Sequence, residues 1–217
     1  MIRDHNAKVK KITQAIKTRM PEFNQRYRNG PSLYFYKRVL SLRRSSPDIG
    51  SFLSCDYHLE ILYAVLVSWD MNSRGAKLKD FGDFKSNILA CMPDLHALDK
   101  ASKNLDIAKT DVYLDLLTTA FSNFALMQTA SRLVSSSKCL HFLFPSLCMP
   151  MDRINTLQYL YGNNNESHNK YREISAFCFD VMAQPIDFEP YLDDQWNQTI
   201  PKLVDNAIIL LKGKSVK

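Results

Sequence analysis

Apolar side chains recur at spacings of three and four along most of the 217-residue chain, the period of helices that bury one face. Val9, Ile12, Ile16 and Met20 form one stripe, which Pro21 is expected to end. After an Asn29-Gly30-Pro31 turn, Leu33, Tyr36, Val39, Leu40 and Arg43 continue the period, with Pro31 where a first helical residue is tolerated. Residues 56–69 are apolar on most sides and read as a buried helix, although their β-branched content leaves a strand open. The polar loop Asp70-Met71-Asn72-Ser73-Arg74-Gly75 stops that segment. Shorter helices follow at about 83–91, ended by Pro93, and at about 94–104. Thr110 or Asp111 can cap a long helix running through Leu117 and Phe121 to Met127. Residues 135–144 form a helix halted before Pro145, and residues 152–161 one halted by the Gly162-Asn163-Asn164-Asn165 loop. Two more are expected over 166–182 and about 189–211, the last broken at Pro201. With no period-two alternation and no internal repeat, the expected fold class is all-α. About nine or ten helices would form one compact domain over residues 1–217 or two closely packed lobes.

Composition narrows the class without naming a function. At 46% hydrophobic and 23% charged, with 6 glycines and 9 prolines, the chain is neither collagen-like, low-complexity nor disordered. Its net charge of +6 is uneven: residues 1–46 hold 12 basic and 2 acidic side chains, a net of +10, leaving −4 on the rest. Such a segment suggests a polyanion, with DNA the first partner to consider and an anionic membrane the second; a solvated helix face explains it equally well. Lys10, Lys11, Lys37, Arg38, Arg43 and Arg44 are the candidate contacts, and the Tyr34-Phe35-Tyr36 run beside two of them could stack bases or fill a core. Cys55, Cys91, Cys139, Cys148 and Cys178 are odd in number and dispersed, a reduced-thiol pattern that implies a cytoplasmic protein. The first residues are too polar for a signal peptide, and no apolar run approaches about 18 residues, so no membrane association is expected.

Phosphate-binding glycine loops, the dinucleotide fingerprint, H-E-x-x-H and G-x-S-x-G are all missing from the sequence. One block could carry chemistry: Ser135-Ser136-Ser137-Lys138-Cys139-Leu140-His141-Phe142-Leu143, then Met149-Pro150-Met151-Asp152-Arg153. Serines before a helix would cap it and place Lys138 in the first turn, where the helix dipole disfavours an ammonium and lowers its pKa. A lysine that sheds its proton near neutrality is a candidate nucleophile for Schiff-base chemistry. Asp152, 14 residues later, can cap the next helix or face a cation if the intervening loop folds back. His141 lies on the Lys138 face and could contact a ligand or fill a half-buried position; Trp69 and Trp196 could line a pocket or pack. Cys139, His141 and Cys148 match no strong zinc spacing, so no metal and no cofactor are expected.

The block resembles the active-site segment of helix-hairpin-helix DNA glycosylases, most closely the archaeal 8-oxoguanine type, over about 20 of the 217 residues. The resemblance implies a DNA-repair enzyme in which Lys138 attacks the sugar C1′ to form a Schiff base and Asp152 stabilises the oxocarbenium charge. His141, Arg153 and Trp69 would then contact the substrate. Leu133-Val134-Ser135-Ser136-Ser137 stands where the family carries a Gly-x-Gly phosphate turn, and the four-cysteine iron–sulfur loop of some members has no counterpart after Cys148. With Trp69-Asp70-Met71-Asn72, the block is also similar to prokaryotic proteins that imply no activity. The alternative is a non-catalytic nucleic-acid-binding or protein-interaction module whose Lys138 to Asp152 block is a helix junction, its protein partner unknown.

Overall fold

The computed structural model describes residues 1–27, 30–72 and 77–213. The expected turn residue Asn29 and loop residues Ser73, Arg74 and Gly75 lie outside these. Among the described residues the architecture is all-α, with eleven α-helical segments and no strand beyond an isolated Leu78–Met127 bridge. In chain order the helices are α1 (His5–Arg26), α2 (Pro31–Ser45), α3 (Ile49–Leu53), α4 (Asp56–Leu66), α5 (Phe81–Ala90) and α6 (Met92–Ser102). There follow α7 (Thr110–Asn123), α8 (Leu133–Leu143), α9 (Gln158–Tyr161), α10 (His168–Met182) and α11 (Ile200–Lys212). Buried apolar residues from Ile2 to Leu210 form one contiguous cluster. No helix of the described residues is long and apolar enough to cross a membrane.

Several boundaries differ from the periodic pattern for identifiable reasons. Pro21 does not end α1, which continues for another turn because Met20 and Phe23 remain on its buried stripe and Arg19 reaches the Leu210 carbonyl of α11 at 3.2 Å. Residues 56–66 are helical despite their β-branched content, and α4 runs on into a π-helical turn, Val67–Met71. The long helix from Thr110 stops at Asn123; Phe124 to Met127 is drawn off to pair with Leu78. Pro201 starts the last helix rather than breaking it, because Thr199 caps the Lys202 N–H and Pro201 occupies the first turn. The count exceeds expectation because α3 is a piece of five residues that periodicity cannot resolve, while α9 is the end of the segment expected over 152–161, whose first part is π-helical.

α8 lies at the centre, packed against α2, α4, α7 and α10. Ten of its eleven residues are buried, including Ser135, Ser136, Ser137, Lys138 and His141. Polar groups buried on a central helix need internal partners, and those partners build the site.

Candidate functional site

The loop after α8 folds back along it. Cys148 N–H donates to the Phe144 carbonyl at 3.0 Å, turning the chain. His141 Nδ1–H then donates to the Cys148 carbonyl at 2.7 Å, and Ser137 Oγ accepts the Met151 N–H at 3.0 Å. Side chains of α8 therefore replace a strand partner for the returning segment. The effect is to bring Asp152 to the level of Lys138, and both line the same cleft.

Lys138 differs from its sequence reading in position and cause. α8 begins at Leu133 with Arg132 at its cap, so the serines are helical and Lys138 is in the second turn, beyond the reach of a terminal dipole. Its residue exposure is 8%, and burial is what lowers its pKa to about 8, against the opposing pull of Asp152, Asp205 and Asp70 and with support from Lys202. Nζ donates to the Trp69 carbonyl at 2.9 Å and lies 5.6 Å from the centre of the Trp69 ring. That carbonyl sits at a kink: Trp69 leaves helical geometry and Asp70 adopts φ 64°, a left-handed conformation that costs an aspartate about 1–2 kcal/mol. Asp152 caps the π-helical turn Arg153–Leu157, its Oδ1 accepting from Ile154 N–H at 2.7 Å and Asn155 N–H at 2.8 Å.

Two adjoining hollows, of about 290 and 360 Å³, share Trp69, Asp70, Lys138 and Asp152 as a common wall. The first is aromatic, with Phe23, Tyr27 and Trp196 completing it. The second is more polar and contains Arg153, which is paired with Glu166 and donates to Ser131 Oγ at 2.8 Å. Trp69 and Arg153 are thus placed at the cleft.

His141 is not. It is wholly buried, with Nε2 accepting from Tyr36 O–H at 3.4 Å, and burial lowers its pKa to about 3; it is a neutral packing residue that positions the returning loop. Arg43 also departs from expectation, because its guanidinium is spent on buried Asp99 and on the Leu143 carbonyl at 2.9 Å. Lys37 pairs with Asp194 at 3.3 Å, Arg38 reaches Tyr57 Oη at 3.3 Å, and Arg44 contacts the Gln198 carbonyl at 3.4 Å. Lys10 and Lys11 are exposed on α1, but at 1.5 Å per residue they lie about 18–20 Å along the helix from Phe23 at the cleft. Of the Tyr34-Phe35-Tyr36 run, Tyr34 is exposed and Tyr36 is in the core.

The sequence reading missed a second lysine. Lys202 and Asp205, in the first turns of α11, line the aromatic hollow and pair at 2.6 Å although both are almost wholly buried. The Lys202 ammonium lies 5.1 Å from the Trp69 ring centre, 5.8 Å from Trp196 and 5.9 Å from Phe23. The signal was a Lys and an Asp three apart inside the apolar run Ile200 to Leu211, where a solvated pair would have no exposed face to occupy.

Searches for a matching family model, curated protein or solved structure find none.

Proposed function

We propose that the Lys138 cleft is the active site of a DNA glycosylase that works through a lysine Schiff base on a nucleotide swung out of the duplex. The observation that carries this reading is the convergence of Lys138 and Asp152 on one cleft walled by Trp69 and Trp196. With a pKa of about 8, roughly one Lys138 in ten is neutral at pH 7. The neutral amine attacks the sugar C1′; the bond from C1′ to the base breaks, and its electron pair leaves with the base, which takes up a proton. Asp152 offsets the positive charge developing on the sugar. Loss of a proton from the attached amine and opening of the sugar ring give the Schiff base. The indole faces supply stacking for an unstacked base, which lowers the cost of extrusion.

Incubating the protein with duplexes that carry a panel of modified bases, in borohydride, is expected to trap a covalent complex that Lys138→Gln abolishes. Absence of any complex across the panel, with wild type and Lys138→Gln alike, sinks the enzymatic reading.

A second reading, a non-catalytic nucleic-acid-binding or interaction module, is favoured by the work Asp152 already does as a helix cap. On that reading Asp152→Asn changes stability only, by about 1 kcal/mol or less, with no change in ligand chemistry.

A further inference from the structure

Three carboxylates and two ammonium groups line this one cleft, with Lys138, Lys202 and Asp205 buried, Asp152 half-buried and Asp70 exposed. Asp70 comes from the turn after α4, Asp152 from the segment returning along α8, and Lys202 with Asp205 from α11; all line the hollow that Lys138 enters. Of the other titratable groups packed around α8, His141 is lowered to about 3 and burial raises Tyr36 from α2 and Cys178 and Tyr171 from α10, so these are neutral, while the charged ones are paired with each other, Arg43 with Asp99 and Arg153 with Glu166. The charges that act most directly on Lys138 are therefore those of Asp152, Asp205, Asp70 and Lys202.

Under the pull of the three carboxylates alone, Lys138 would be held as an ammonium, which cannot attack carbon. Lys202 alters this balance in two ways. Its Nζ lies 2.6 Å from Asp205 Oδ2, which occupies the carboxylate that would otherwise pull on Lys138. Its ammonium also faces the same Trp69 ring as Lys138, at 5.1 and 5.6 Å from the ring centre, so two like charges share one indole. Lys202 is 4% exposed, and its ammonium is held by Asp205 among the rings of Trp69, Trp196 and Phe23.

We propose that Lys202 is a positioning residue that, by neutralising Asp205 and repelling a second ammonium at Trp69, frees Lys138 to act as a neutral amine. The proposal rests on the reading of Lys138 as a nucleophile for its purpose, but its physical content concerns only the proton on Lys138 and is measurable without substrate.

The experiment follows the Lys138 ε-carbon by NMR in protein labelled with ¹³C-lysine, with the signal assigned through Lys138→Arg, across pH 6 to 11. Lys202→Gln is expected to move the Lys138 midpoint upward by about one pH unit, because Asp205 then acts on Lys138 unopposed. Asp205→Asn is expected to move it downward. In Lys202→Gln with Asp205→Asn both charges are gone and the midpoint should return to within a few tenths of wild type. Lys202→Arg, which keeps the charge and the pair, should leave it near wild type. If Lys202→Gln unfolds, the Asp205→Asn and double variants still decide the sign. A midpoint unmoved in folded Lys202→Gln, or moved in the same direction by Lys202→Gln and Asp205→Asn, overturns the proposal. Shifts of the expected signs with no borohydride-trapped complex in wild type would leave the proton coupling standing and remove the glycosylase reading instead.

Discussion

At the scale of single residues, the site is built against stability. Lys138 is buried deeply enough for its pKa to fall to about 8, so the unfolded chain holds that proton more tightly than the folded one. Between about pH 8 and the ordinary lysine value the unfolded state binds more protons, and stability therefore rises with pH across that window. Below it the full net cost of the buried charge is present, of order 3 kcal/mol with the offset from the carboxylates already included. Lys138→Met is expected to raise the thermal midpoint at pH 7 and to flatten the pH dependence of stability above 8; denaturant titrations at pH 7 and 9.5 check both. A destabilised Lys138→Met would mean that the bond to the Trp69 carbonyl and the three carboxylates outweigh desolvation. Asp152 carries two duties, a cap and a carboxylate beside the lysine. Asp152→Asn keeps an oxygen for the Ile154 and Asn155 N–H groups, so it separates them: little loss of stability, with loss of trapped complex if the carboxylate serves the reaction.

Helices differ in how far their own sequences account for them. α1 follows its apolar stripe, yet it contains Pro21, which has no N–H to offer the Lys17 carbonyl one turn back. The helix persists because contact with α11 along its length outweighs the lost bond. Pro21 is exposed, so Pro21→Ala should restore the bond without disturbing the core and raise the melting temperature by several degrees, read by circular dichroism. No gain would indicate that the helix has already accommodated the ring without loss. α8 is the opposite case. Its serines, lysine and histidine would suit a helix with one wet face, and only packing on four sides makes them internal. The Ser136 hydroxyl is left without a partner among the described residues, but Ser137 and His141 pair with the returning loop, which turns that helix into one side of a cleft.

For the molecule as a whole, the charge distribution takes on a different meaning in three dimensions. The net +10 of the first 46 residues is real, but Arg43 is paired with buried Asp99, Lys37 sits beside Asp194, and Lys10 and Lys11 are distant from the cleft along α1. Arg43→Ala is expected to cost about 1.5–3 kcal/mol by taking the guanidinium from buried Asp99 and leaving it the Ile49 N–H and the more distant Lys103, seen in denaturant unfolding and not as a selective loss of DNA affinity. Neutralising Lys10 and Lys11 should leave trapping at Lys138 unchanged even where it reduces salt-dependent binding to undamaged DNA. A variant at Arg43 that folds normally and loses only binding would reverse this assignment. What the sequence by itself determined is the helical class, most helix positions and the Lys138 to Asp152 block, because periodicity, capping residues and prolines act over a turn or two. Only the tertiary structure decided that Lys138 is buried, that His141 and Arg43 serve the interior, and that Lys202 and Asp205 stand beside them. The reason is that a side chain's proton affinity depends on what α1, α4, α8 and α11 together exclude from around it, and no stretch of the chain contains that information alone.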